Sequence, residues 1–142
     1  MLHSRVRRLT GCRSGASAVE FALVAPVFLL MLIGILVYGQ YLSLVHSMEQ
    51  LAAQAARQSM AGLDTAERTS LAQGYLQQNA QFYPMVDTRR LSMSAAPAGN
   101  DPNVFVVTVS YDLTNTLFAT FTRFLSSQRL LTASAAIERG GY

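Results

Sequence analysis

Gly15 and Ala16 open the run G-A-S-A-V-E-F, which sets a small-residue cleavage point five positions before a lone glutamate, Glu20. The chemistry these residue types suit is chemistry done to the chain, namely hydrolysis of one peptide bond. Glycine has no side chain to obstruct a peptidase, and Ala16 to Ala18 keep the neighbouring surface slim. Glu20, followed by Phe21, then stands at the head of a long uncharged apolar run. A charged side chain at a bilayer centre costs about 2.5 to 3.5 kcal/mol, so a carboxylate at such an edge calls for a partner.

Other chemistries find less support. Leu9-Thr10-Gly11-Cys12 spells a lipoprotein-like box, but M-L-H-S-R-V-R-R-L-T-G offers no apolar signal ahead of it, and a motif is only as good as its context. Cys12 is the single cysteine, so no disulfide can staple the chain. His3 and His46 fall on opposite sides of the apolar run, which rules out a histidine pair for a metal. No histidine follows His46, so the later residues cannot assemble a Ser-His-Asp triad. Asp87, Asp101 and Asp112 read as turn and strand-end residues, and Arg89-Arg90 as a solvated loop end. No catalytic residues, metal ligands or cofactor are expected, and the chain is taken not to be an enzyme.

The charge balance also excludes a nucleic-acid partner. All 11 basic residues are arginines, giving a formal +3, but Arg5, Arg7, Arg8 and Arg13 precede Gly15. Residues 16–142 hold seven arginines against eight acids, a formal side-chain charge of −1, which leaves no basic footprint.

The element that must position Gly15 to Phe21 is the apolar run itself, Phe21 to Val45, which contains no charged residue. A membrane span needs about 20 such residues, and Phe21 to Tyr38 covers about 27 Å as a helix. One transmembrane helix follows. The arginines before it and Glu49 after it put the N-terminus in the cytoplasm by the positive-inside rule. A secretory signal would carry its cleavage site after the apolar core, whereas here the small residues precede it, so the span is retained as an anchor. Pro26 removes one helical hydrogen bond and is read as a kink.

Beyond the span, Met48, Leu51, Ala52 and Ala55 recur at helical spacing with Glu49, Gln50, Gln54, Arg57 and Gln58 opposite, so the helix continues. Gly62 is a stop. Asp64 and Glu67 form a capping box for a second helix with Leu71, Tyr75 and Leu76 as its apolar stripe, closed by Pro84. Leu91, Met93 and Ala95, then Phe105, Val107, Val109 and Tyr111, then Leu131, Ala133, Ala135 and Ile137 alternate as three half-buried strands. The segment A-P-A-G-N-D-P-N suggests an antiparallel hairpin with a longer loop than usual. Leu113, Leu117, Phe118, Phe121, Phe124 and Leu125 make a helical stripe, read as core of its own domain in preference to a docking face. The expected fold is α+β: a long N-terminal transmembrane helix continuing into a small head, with helices packed on a roughly three-stranded antiparallel sheet. The divisions are a basic cytoplasmic leader at 1–15, the transmembrane helix at 16–45 and the head with its helical extension at 46–142.

The leader, G-A-S-A-V-E-F, the proline-containing span and the closing L-T-A-S-A-A-I-E-R resemble the TadE-like family of pseudopilins, with a type IVb prepilin-like N-terminus. The resemblance is specific over Gly15 to about Tyr41 and looser beyond. It implies a minor component of a Flp-type, tight-adherence pilus, cut by a prepilin peptidase on the cytoplasmic face. Gly15 would be the last leader residue and Ala16 the new N-terminus. Glu20 would be the fifth mature residue, followed by Phe21, its carboxylate meeting the freed amine of an adjacent subunit. The other reading of Glu20 is an interfacial acid capping the first helical turn. Implied partners are the prepilin peptidase, other pilins or pseudopilins, inner-membrane assembly proteins and the membrane. The implied location is the bacterial inner membrane, single-pass, with a periplasmic head and a further association with the pilus. The competing expectation is a signal-anchored periplasmic binding or sensor domain without prepilin processing.

Overall fold

The computed structural model describes residues 13–99, 101–114 and 129–138. They form helix α1 (Arg13–Ser59), helix α2 (Thr65–Asn79) and strands β1 (Leu91–Ala98), β2 (Asp101–Asp112) and β3 (Leu130–Glu138). Short 3-10 turns at Ala80–Phe82 and Thr88–Arg90 lie between α2 and β1. The fold is α+β, an apolar N-terminal helix and a head in which helices pack on an antiparallel sheet. The chain divides into two units, Met1–Leu36 and Val37–Tyr142, and α1 contributes to both.

In the first unit the described residues are all α1. From Gly15 to Leu36 only Ala25 and Gly34 are even half-shielded, while Leu23, Phe28, Leu30 and Ile35 stand well exposed. A helix that is apolar all round has no single face to bury and requires an apolar surrounding. The helix runs through Pro26 without a break. Proline donates no hydrogen bond, so the carbonyl one turn earlier, that of Ala22, lacks its helical partner.

In the second unit the pattern of α1 changes. Leu44, Met48, Leu51, Ala52, Ala55, Ala56 and Ser59 are buried, which is one face at helical spacing. The Ser59 hydroxyl is satisfied within the helix by donating to the Ala56 carbonyl at 2.6 Å. Three backbone bonds, from the amides of Met60, Ala61 and Gly62 to the carbonyls of Arg57, Gln58 and Ser59, tighten the end of α1. Gly62 allows a close approach there. A Cβ at this position would lie 2.7 Å from the Arg68 amide nitrogen and 2.8 Å from Arg68 Cγ.

α2 starts at the expected cap. Asp64 Oδ1 accepts from the Glu67 amide at 2.7 Å, and Glu67 Oε2 accepts from the Leu63 amide at 2.8 Å. The reciprocal bond thus reaches one residue further back than in the usual capping box, where the cap's own amide is the donor. The buried positions of α2 are Ala72 and Leu76, with Tyr75 half-buried and Leu71 exposed. Leu71 therefore drops out of the expected stripe, because the small Ala72 sits one residue on at the closest approach.

The sheet has the order β1-β2-β3, both pairs antiparallel. Its register sets Leu91, Tyr111 and Leu131 in one row, Met93, Val109 and Ala133 in the next, and Ala95, Val107 and Ala135 in a third. These rows form the inner face, sharing one core with the α1 stripe and with Ala72, Leu76 and Ala80. Side-chain alternation sends Ser92, Ser94, Thr108, Thr132 and Ser134 to the other face, where the Thr108 and Ser134 hydroxyls bond at 3.0 Å. Valine-rich β2 takes the centre, as β-branched residues favour.

The hairpin is tighter than its sequence suggests. Ala98 pairs with Asp101, which leaves only positions 99 and 100 between the strands. β1 is an edge strand, so Pro97 forfeits no second ladder of hydrogen bonds, and the register shifts between Pro97 and Ala98. Leu113 also departs from the expected helical stripe: it is buried, and its amide donates to the Arg129 carbonyl at 2.9 Å, continuing the β2 to β3 pairing. Leu117, Phe118, Phe121, Phe124 and Leu125 lie outside the described residues.

Candidate functional site

The residues singled out for processing and assembly all lie on α1 in the first unit: Gly15, Ala16, Glu20, Phe21 and Pro26, every one exposed. The Gly15–Ala16 bond lies within helix α1, whose described residues run from Arg13. Around Gly15 there is open space: a Cβ there would meet nothing within 4 Å. Its backbone is not in the left-handed region either, since no described glycine has a positive φ. A helical glycine is about 0.5 to 1 kcal/mol worse than alanine, so helix stability alone does not account for glycine at position 15.

Ala16 and Glu20 are four residues apart on a continuous helix and so share a face. The carboxylate of Glu20 forms no ion pair among the described residues. It stands next to Phe21, 73% exposed, at the start of the apolar segment. The stretch Gly15–Ser59 contains a window long and apolar enough to cross a membrane, and none of that window is buried. These are the features of a single-pass anchor with one acid at its leading end.

Residues 15–57 match the model of the TadE-like protein family. The TadE-like segment begins at the glycine of the candidate cleavage point, takes in Glu20, Phe21 and Pro26, and stops inside the buried stripe of α1. α2 and the sheet lie outside it. Comparison with curated proteins and with solved structures gave no match.

Among the described residues of the head, no cluster of ionisable groups stands out. A groove of about 450 Å³ lies between α2 and β1, with Gln73, Gln77, Gln81, Thr88 and Ser92 around Leu76, Ala80, Leu91 and Met93. Amides and hydroxyls can hydrogen-bond a ligand there but supply no acid or base. Among the described residues no group of three or more His, Cys, Asp or Glu could hold a metal ion. Asp87 is engaged by Arg89, whose guanidinium lies 3.1 Å away and holds the carboxyl below its ordinary 3.8. Asp112 is likewise lowered by hydrogen bonds from Thr114. Both serve as caps of local turns.

Two positions carry more than their sequence context announced. Ser47 sits in the α1 stripe, buried, and donates from Oγ to the Pro84 carbonyl at 3.0 Å. Met85 has φ 64, the one positive φ among the described non-glycine residues. A proline-methionine pair after a helix was the available signal for a turn, but nothing in it specifies a left-handed methionine.

Proposed function

We propose that this chain is a minor pseudopilin of a Flp-type, tight-adherence pilus, matured by a prepilin peptidase that cuts between Gly15 and Ala16. The TadE-like match supports involvement in this kind of pilus assembly. The observation that carries the finer reading is the coincidence of three features. The matched segment begins at Gly15, that glycine stands on α1 in open space with no conformational need to be glycine, and Glu20 follows Ala16 by one turn.

Cleavage would leave Ala16 with a free α-amine, at the helix end where the backbone already carries partial positive charge. Glu20 of a neighbouring subunit then supplies the opposite charge. In the low-dielectric interior of a packed helical array such a pair is stronger than in water, and because each subunit has one amine and one Glu20 it fixes axial register. Arg5, Arg7, Arg8 and Arg13 hold the leader in the cytoplasm. The head faces the periplasm of a bacterial inner membrane and performs no catalysis. Its partners are the peptidase, other pilins or pseudopilins and the inner-membrane assembly proteins.

The test is intact mass of the membrane-extracted protein from cells with and without the peptidase, together with Gly15→Leu. The expected result is a peptidase-dependent start at Ala16 that the leucine variant abolishes. A chain that keeps its leader beside an active peptidase leaves a simple signal-anchored head in its place.

A further inference from the structure

The loop from Phe82 to Met85 turns its apolar side chains outward. Phe82 is 75% exposed and Met85 44%, with Pro84 exposed between them. The loop is nonetheless fixed. Tyr83 is half-buried, its hydroxyl 3.1 Å from that of Tyr75, and Val86 packs against the core. The Tyr83 amide donates to the Ala80 carbonyl at 3.2 Å and the Asp87 amide to the Tyr111 hydroxyl at 3.4 Å. The head therefore spends ordered backbone, including the left-handed Met85, on presenting apolar groups to its surroundings.

Its position gives those groups a partner. The Pro84 carbonyl is held by Ser47, and Ser47 follows Val45, where the uncharged run ends, by two residues, or about 3 Å along a helix. From Phe21 to Ser47 a helix rises about 39 Å, and a hydrocarbon core of about 30 Å with one headgroup layer of about 5 to 8 Å takes up about 35 to 38 Å of that, so the backbone at Ser47 lies level with the outer edge of the headgroups. Just beyond the loop, Asp87, Arg89 and Arg90 sum to one positive charge, and the Arg89 side chain is 88% exposed. Aromatic and aliphatic side chains beside an exposed arginine suit the border between acyl chains and anionic headgroups.

We propose that the Phe82–Met85 loop docks on the surface of the bilayer that α1 crosses, its side chains entering the headgroup layer and holding the head against the membrane. The proposal rests on the reading of α1 as a membrane anchor. The occupant is the phospholipid surface itself.

The chain contains no tryptophan, so Phe82→Trp, Tyr38→Trp and Leu63→Trp each give a full-length protein with one reporter. Each is reconstituted in phosphatidylethanolamine–phosphatidylglycerol vesicles whose acyl chains carry bromine near the headgroup. Phe82→Trp is expected to emit at shorter wavelength than Leu63→Trp and to lose most of its emission to the brominated lipid, with Leu63→Trp unaffected. Met85→Trp carries the same expectation and stands in should the first variant misfold. If Tyr38→Trp is quenched and the loop reporters are not, docking is overturned and the anchor stands. If Tyr38→Trp is not quenched either, both readings fall. Blue-shifted loop emission without lipid quenching means that protein, such as a second copy, covers the loop, which also overturns the proposal.

Discussion

Tyr75 shows how a single side chain ties stability to pH. Its hydroxyl sits against that of Tyr83, and burial first, then that hydrogen bond, push its pKa up to about 12 from an ordinary 10.0. A group whose folded pKa is raised contributes stability that is complete below its unfolded value and disappears as pH climbs through the folded one. The urea midpoint in detergent should therefore hold to about pH 10 and fall between pH 10 and 12, with a shallower fall in Tyr75→Phe. Equal slopes for the two proteins would show that the pair does not link pH to folding. Gly15 is the opposite kind of residue. Nothing around it depends on its lack of a side chain, so Gly15→Leu should leave the urea midpoint of the head unchanged while abolishing the Ala16 start, which separates a processing defect from a folding defect.

Among the elements, α2 tests how much a cap is worth. Asp64 accepts from Glu67, Glu67 reaches back to Leu63, and the helix beyond them buries only Ala72 and Leu76. A helix with so little core depends on its ends, and Asp64→Ala is expected to cost about 0.5 to 2 kcal/mol, read as a lower urea midpoint. Elements with one unbroken period were legible in the sequence: the apolar run, the Met48 to Ala55 stripe and the three alternating strands, together with the Asp64 and Glu67 cap. Legibility failed where a residue's neighbours decide its role. Pro97, with Gly99 and Asn100 after it, reads as a loop until the edge position of β1 makes proline harmless there. Leu113 fits a helical stripe as well as a strand end, and only its bond to Arg129 distinguishes them. Leu71 and Ala72 differ by one helical step, so stripe phase alone could not choose the small residue over the large. At the candidate site, the Gly15 to Phe21 spacing was plain in the residues, whereas the Ser47 tie to Pro84 joins segments far apart in the chain and left no local trace.

The whole second unit depends on one shared core in which α1 supplies Leu44, Met48 and Leu51 and the sheet supplies Phe105, Val107 and Val109. Leu51 is fully buried and Leu63 is 84% exposed. Leu51→Ala should therefore cost about 2 to 5 kcal/mol and Leu63→Ala no more than about 0.5, a contrast that urea titration of the two proteins would reveal. A similar loss in both would mean that the stripe does not pack as described. The same core also sets an order in time. Synthesis delivers the α1 stripe first and β3 last, so an emerging chain carries a row of leucine, methionine and alanine whose covering strands do not yet exist. Contacts between residues so distant in sequence close slowly, and a nascent chain with a bare apolar face is open to wrong associations. The half-made protein is thus at its most vulnerable just before β3 arrives, and a holding chaperone would be needed in that interval more than before it.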